Sequence, residues 1–374
     1  MSKKVLIVYA TGGMGHVSAA KAIEQAFKEK YSDVEIKNVD VIDFAMKVYK
    51  KVFVDGYNYV SAKTPELWGW LYRTYNDQSK QKLPRMLSQL AIEGKFIPFI
   101  EEFQPDFIIS THPLPMLLVS HSKKKHIINI LSSMVLTDFG CHSFWIAPEV
   151  NYYFVSTENV KKCLLDYQVK SEQIGVTGIP IENKFFKVKP RAELIQKLGL
   201  EPDLFTILIV GGQFSYQALE TIIGGITKKH DGQVQFLVVA GRDKELKEAL
   251  DKSDLNKDSK IKTFGFIDNM HELMAVSDLI FSKAGGLTVS ECMAMGLPMV
   301  INKVIPGQEQ DNVNYLVQAG AAVKVEDFDQ VVNAVNDLVS DPQKVAEMKA
   351  ACQKIGKPKS AEALADFVYG KINK

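Results

Sequence analysis

Short apolar runs alternate along the whole chain with longer stretches in which apolar residues recur every three or four positions. Compact β-branched runs predict buried strands and the 3.6-residue spacing between them predicts helices, so the rhythm is that of an α/β chain with parallel sheets. In the first half, strands are expected near Val5–Tyr9, Val34–Val39, Phe107–Ser110, Ile127–Leu131 and Tyr152–Val155. A helix over Ser18–Lys30 would turn Ala19, Ala22, Ile23 and Ala26 to one face. Gly175-Val176-Thr177-Gly178-Ile179-Pro180-Ile181, with two glycines and a proline, reads as a hinge. The strand pattern then restarts at Phe205–Val210 and continues at Gln235–Ala240, Ile261–Gly265, Leu279–Ser282 and Met299–Ile301.

The expected architecture is therefore α/β, with two Rossmann-like domains facing across a cleft. The boundaries fall at residues 1–178 and 179–360, with a last helix inside 361–374 placed to pack back on the first domain. The length of 374 residues agrees, since a single core rarely grows that large. A formal net charge of +1 argues against a general nucleic-acid binder. The cysteines Cys141, Cys163, Cys292 and Cys352 form no C-x-x-C pair. No disulfide and no zinc site are expected, and a reducing, cytoplasmic location is. No apolar segment approaches the roughly 20 residues that span a bilayer, so any membrane contact would be peripheral.

One stretch breaks the rhythm. Phe44–Arg85 holds Phe44, Tyr49, Phe53, Tyr57, Tyr59, Trp68, Trp70, Tyr72 and Tyr75, with eight basic side chains against three acidic ones. Aromatics with Lys and Arg suit an anionic membrane surface. A helical insertion whose rings fill the core fits the composition equally well.

Two glycine turns carry the candidate chemistry. Thr11-Gly12-Gly13-Met14-Gly15-His16 follows the first strand, and Ala284-Gly285-Gly286-Leu287-Thr288-Val289-Ser290-Glu291 follows the Leu279 run. A strand that turns through glycine into a helix offers bare backbone N–H groups and a positive helix end to an anion. Gly13-Met14-Gly15-His16-Val17-Ser18 is a degenerate dinucleotide fingerprint with Asp40 as its ribose carboxylate, weakened by Ser18 in place of the third glycine. His16 fits better as a base, or as a residue that merely caps the loop. Glu291 could accept two ribose hydroxyls, while Thr288-x-x-Glu291 also has the form of a capping box. Gln308, Glu309 and Asn312 form a polar loop able to grip a sugar, or only to dissolve. Asp138 and His142 read as an acid/base pair or acceptor site, or as a structural Asp–His hydrogen bond. Asp327-Phe328-Asp329, the one D-x-D match, reads as a helix cap, and no metal-ligand spacing is present elsewhere.

Taken in order, these motifs resemble those of the monogalactosyldiacylglycerol synthase and processive diacylglycerol glucosyltransferase family. Its members are GT-B-fold glycosyltransferases related to the lipid-linked muropeptide N-acetylglucosaminyltransferase. The anchors are Gly12–His16 with Ser18 and Ala19, Thr137-Asp138-Phe139 with His142 and Trp145, Thr177–Ile181, Gly265-Phe266-Ile267, Lys283–Glu291, and Pro306–Glu309 with Asn312. The resemblance implies a UDP-sugar on the C-terminal domain. Uracil would lie near Phe266 and Ile267, ribose on Glu291, diphosphate on Gly285, Gly286 and Thr288 with the loop of Gly212 and Gln213, and hexose on Gln308, Glu309 and Asn312.

It also implies a diacylglycerol-type acceptor entering beside Gly13, Gly15, His142 and Trp145, with His16 and Asp138 catalytic. The aromatic stretch would dock on the inner face of an anionic membrane. The implied chemistry is a direct inverting displacement with no metal and no cofactor beyond the co-substrate. Two departures stand out. Met14 occupies a position in the first glycine loop where many relatives keep glycine, and Gly211–Tyr216 lacks the further glycines usual at the hinge-side loop. The competing expectations are a UDP-sugar 2-epimerase of the same fold, an acceptor other than diacylglycerol, and a UDP-sugar sensor with no turnover.

Overall fold

The computed structural model describes residues 2–51, 64–212, 214–257, 260–302, 304, 307 and 309–373. Phe53, Tyr57, Tyr59, Gln213 and Gln308, singled out above, lie outside them. The first domain is built on a six-stranded sheet in the order β2-β1-β3-β4-β5-β6. These strands are β1 (Lys3–Tyr9), β2 (Val34–Asp40), β3 (Phe107–Ser110), β4 (Leu131–Val135), β5 (Tyr152–Phe154) and β6 (Ile174–Gly175). The second domain carries β7 (Phe205–Val210), β8 (Val234–Val239), β9 (Ile261–Phe264), β10 (Leu279–Phe281), β11 (Met299–Ile301) and β12 (Ala322–Lys324), in the order β12-β11-β10-β7-β8-β9. Every pairing is parallel.

Helices on both faces of each sheet explain why the strands read as unbroken apolar runs. Leu6, Val8 and Ile108 face one core of the first domain, whereas Val5, Ile7, Phe107 and Ile109 face the other. In the second domain Leu208, Leu237 and Ile280 alternate in the same way with Ile207, Ile209 and Phe236. The chain order reverses between β1 and β3 and again between β7 and β10. In open α/β sheets, such switch points are where the strand ends leave a crevice for ligands.

The last helix, Ser360–Ile372, leaves the second domain and packs into the core of the first through Leu364, Ala365 and Val368. Tyr369 stacks on Tyr31 at 3.8 Å, Lys30 pairs with Asp366, and Ser360 Oγ donates to the Ile179 carbonyl at 2.7 Å.

Four readings are corrected. The strand expected at Ile127–Leu131 lies at Leu131–Val135, because Ser132 and Ser133 are wholly buried in it and interrupt its apolar signature. The short strands β6 and β12 were not anticipated. The first glycine-loop helix spans Met14–Lys30 rather than beginning at Ser18, so Gly15 and His16 belong to its first turn. Cys141 and Cys163 form a disulfide, bridging the loop after β4 to the helix Glu158–Asp166, with Cα atoms 6.3 Å apart. A separation of 22 residues left no short-range pattern to read, and the cysteine argument for a reducing compartment falls with it.

The aromatic stretch divides. Phe44 packs on Phe96 and Phe99, and the Tyr49 hydroxyl lies 2.8 Å from Ser88 Oγ, so these two serve the core. On the helix Pro65–Tyr75, Leu67 and Trp70 are exposed, whereas Tyr72 packs at a tilt on His142 and Tyr75 packs near Phe144.

Candidate active site

The first switch point assembles around His16. Its Nδ1 donates to the Thr111 carbonyl at 2.6 Å and lies 3.1 Å from Thr137 Oγ1. Thr111 returns a bond from its hydroxyl to the His16 carbonyl at 2.9 Å. With Nδ1 committed as a donor, the neutral ring keeps its lone pair on Nε2. Burial lowers the His16 pKa to about 4, against a weaker upward pull from the Thr111 carbonyl. The ring is therefore a neutral base across the physiological range. His112 stands edge-on at 4.5 Å, and Trp145 closes the wall behind at 6.1 Å.

The dinucleotide reading does not survive here. Asp40 accepts from Thr11 Oγ1 and from the Ile42 amide, at 2.9 Å for the latter, so its carboxylate caps a turn and braces the loop.

On the second domain, the helix Gly286–Met295 begins at the second switch point with Gly285 as its N-cap. No side chain caps it, so the capping-box reading fails: Thr288 is already in the first turn. A Cβ on Gly285 would meet nothing within 4 Å, so the helix begins at a half-buried glycine with open space on its Cβ side and no side-chain cap. Glu291, one turn further, makes no hydrogen bond or ion pair among the described residues. Burial raises its pKa to about 8, with Glu182 adding to the rise and Lys184 opposing it. Gly212 sits on the loop after β7, so tight against the Ala240 carbonyl that a Cβ would lie 2.8 Å from it. Phe266 is 60% exposed and carries the Arg242 guanidinium over its ring at 5.3 Å, while Ile267 packs partly into the core beneath. Arg242 also reaches across to Met14, Nη2 to Sδ at 3.7 Å, so the unusual Met14 spans the cleft.

The two domains meet where these loops converge. A side chain at Gly286 would collide with the Thr137 carbonyl and would come within 3.2 Å of Asp138 Oδ1. Gly15 approaches Leu287 in the same way, with its Cβ position 3.4 Å from that side chain. Asp138 thus lies against the start of the donor-side helix. Burial raises its pKa to about 7, the Asn312 amide opposing and Glu309 and Asp311 adding to the rise.

Two candidates take roles other than the expected ones. Asn312 is wholly buried; its Oδ1 accepts from the Phe139 amide and its Nδ2 donates to the Ala284 carbonyl, both at 2.8 Å. Its amide bridges the domains and leaves nothing for a sugar. His142 is also buried: Nδ1 accepts from the Phe144 amide at 3.0 Å, and Nε2 donates to the Tyr72 carbonyl at 2.7 Å. It forms no pair with Asp138 and offers no free nitrogen to an acceptor. Trp145 is a buried wall rather than a contact surface. Glu309 is buried with Lys283 Nζ 3.7 Å from its carboxylate, and Gly13, the N-cap of the first helix, is exposed at the cleft. The sequence reading missed Thr111, His112, Arg242 and the inward turn of Tyr72. Thr111 and His112 directly follow β3, and their place at the switch point was the available signal.

Comparison with known proteins finds relatives of both domains. Residues 16–181 match the family profile described as monogalactosyldiacylglycerol (MGDG) synthase, and residues 206–364 match the glycosyltransferase family 28 C-terminal domain. The processive diacylglycerol beta-glucosyltransferase of Bacillus mycoides is 33% identical over 374 residues, spanning 98% of this chain and 93% of the relative. Among solved structures, MurG of Acinetobacter baumannii superposes with a TM-score of 0.60 at 15% identity, over 98% of this chain and 99% of that one. The UDP-GlcNAc 2-epimerase of Neisseria meningitidis, bound to UDP-GlcNAc, gives 0.65 at 14% identity, over 98% and 100%. At such identities these two establish the shared two-domain fold alone. The sequence match over almost the full length goes further: the chain belongs to the family of monogalactosyldiacylglycerol synthases and processive diacylglycerol glucosyltransferases.

Proposed function

We propose that the protein is an inverting glycosyltransferase that moves a hexose from a UDP-sugar to the hydroxyl of diacylglycerol or of a glycosyl-diacylglycerol. The observation that carries this reading is the position of His16, a neutral base at one switch point, with an uncapped helix start at the other. Family membership supplies the substrate class, since the curated relatives are named for diacylglycerol glucosylation.

In this reading Phe266 and Ile267 flank the uracil, Glu291 accepts the ribose hydroxyls, and Gly285, Gly286 and Thr288 face the diphosphate with the loop of Gly212 and Gln213. The hexose is assigned to Glu309 and Gln308. The acceptor oxygen attacks the anomeric carbon from the side opposite the diphosphate, passing its proton to His16 Nε2 as the carbon–phosphate-oxygen bond breaks. Asp138, with a pKa of about 7, is placed to exchange a proton or to stabilise the positive character that builds on the sugar. The helix start stabilises the charge on the departing UDP without a metal ion.

The same reading places the protein peripherally on the inner face of an anionic membrane. No helix among the described residues is long and apolar enough to cross one. Supporting a lipid-facing side, Leu67, Trp70, Met86, Leu87 and Leu90 are exposed in a segment, residues 67–90, that also exposes basic Arg73, Lys80 and Lys82. An open, largely apolar cavity of about 480 Å³ between Met86, Leu90, Ile97 and Ile127 adjoins them.

The test is product analysis by mass spectrometry after incubation with single UDP-hexoses, diacylglycerol in anionic vesicles, and EDTA. Glycosyl-diacylglycerol formed despite EDTA is the expected result. An epimerised UDP-sugar with no lipid product would overturn the reading, and a lipid product that EDTA abolishes would overturn the metal-free part.

A further inference from the structure

The helix Pro65–Tyr75 has two faces with different surroundings. Trp70 and Leu67 look outward, 56% and 46% exposed. Tyr72 lies two residues beyond Trp70, roughly 200° around the helix axis, and faces the cleft. Its ring packs on His142 at a tilt of 46° with centroids 4.2 Å apart, and its carbonyl is held by His142 Nε2–H at 2.7 Å. On the other side it meets the sugar-side loop of the second domain, where a Cβ on Gly307 would lie only 2.9 Å from Tyr72 Cδ1. Gly307 also holds a φ of +90°, so this loop both needs glycine and uses its bareness to admit the Tyr72 ring.

The end of the helix is tied to the loop that carries Asp138. Asn76 Oδ1 accepts from the Ser143 amide at 2.9 Å, and Gln81 Nε2 donates to Ser143 Oγ at 2.7 Å. A movement of the insertion would therefore move Tyr72 together with the Asp138 loop. Among the described residues the Tyr72 hydroxyl makes no hydrogen bond. Burial first, and then the charges of Asp138 and Asp311, push its pKa upward. A half-buried phenol with no hydrogen-bond partner among the described residues, on a ring held between His142 and the bare Gly307, is free to bind an alcohol.

We propose that Tyr72 is an acceptor-binding residue: its hydroxyl holds the lipid alcohol beside Asp138, on the same helix whose outer face carries Trp70 and Leu67. This rests on the transferase reading above and adds to it the group that fixes the acceptor. One helix then joins the lipid-facing surface to the point of transfer, and the acceptor headgroup needs to pass only from one of its sides to the other.

The experiment measures transfer to diacylglycerol in anionic vesicles, hydrolysis of the UDP-sugar without lipid, and UDP affinity, for the full chain and for Tyr72→Phe and Tyr72→Ala. Wild-type transfer is scored first, because its absence would sink the functional reading and this proposal together. Given wild-type transfer, Tyr72→Phe should raise the KM for diacylglycerol about 10-fold, the worth of one hydrogen bond, with kcat, UDP affinity and hydrolysis near wild type. Tyr72→Ala should lose more, about 100-fold in kcat/KM for the lipid; if it fails to fold, Tyr72→Phe decides alone. An unchanged diacylglycerol KM in Tyr72→Phe would overturn the proposal and leave the functional reading standing. So would a loss shared equally by UDP affinity and hydrolysis, which is the mark of a structural role.

Discussion

His16 gives its Nδ1 proton to the Thr111 carbonyl at 2.6 Å, and that one bond decides which ring nitrogen can act as a base. The acceptor of the bond is a backbone atom at the end of β3, so the tautomer is set by the fold rather than by a replaceable side chain. His16→Ala should lower kcat about 10²- to 10⁴-fold while UDP affinity stays within twofold, measured by steady-state kinetics and calorimetry.

The same residue sets a pH expectation. Its folded pKa of about 4 lies below the ordinary 6.5, so His16 is neutral and competent well below neutrality. In Asp138→Asn, with the UDP-sugar saturating so that Glu291 is already ionised, the residual kcat/KM for the lipid should stay flat from pH 8 to about pH 5 and fall only below that. The stability term has the sign of a depressed pKa: it is full above 6.5 and lost as pH falls towards 4. A fall centred near pH 6.5 would contradict the half-buried, Thr111-bound ring.

Asp138 should give the wild-type enzyme its acid limb. With a pKa of about 7, kcat/KM is expected to rise through pH 7, and Asp138→Asn should remove that limb along with most of the activity. Its effect on stability runs the other way. A carboxyl whose folded pKa is raised stabilises the fold below its unfolded value near 3.8, and that contribution is lost as pH rises through about 7. Asp138→Asn should therefore be more stable than wild type at pH 8, by about 1–3 kcal/mol in denaturant unfolding.

Glu291, raised to about 8 by burial, is largely protonated at pH 7. Two ribose hydroxyls donating to it would favour the carboxylate, so UDP binding should release a proton. Calorimetry in buffers of different ionisation enthalpy measures this directly. Glu291→Gln should lose that proton and weaken UDP about 10- to 100-fold.

Gly286→Ala probes the closed arrangement. The added methyl collides with the Thr137 carbonyl across the cleft rather than with anything inside its own domain. Each domain should keep its core and melt normally, while transfer falls at least 100-fold and small-angle scattering shows a larger radius of gyration.

Much of this was legible in the chain because the strands are buried on both faces. Val5–Val8 and Ile207–Ile209 leave no doubt about a doubly wound fold, and the glycines after β1 and β10 mark the two strand-to-helix turns. What stayed hidden depends on contacts between residues far apart. Asn312 looked like a sugar ligand until its amide was seen spanning Ala284 and Phe139, 28 and 173 residues away. His142 and Asp138, four positions apart, suggested a pair, yet the imidazole is claimed by Tyr72, 70 residues upstream. Strand β4 was misplaced because its buried Ser132 and Ser133 are polar, with Ser132 satisfied by Asn151, a partner the local sequence does not announce. The Cys141–Cys163 bridge was missed for the same reason.

The most direct test of the account is release of UDP from a UDP-hexose, measured with and without diacylglycerol in anionic vesicles, for the wild type and His16→Ala. The account predicts release that requires the lipid and collapses in the variant, while UDP still binds. Release that is indifferent to the lipid, or that survives His16→Ala intact, would contradict it.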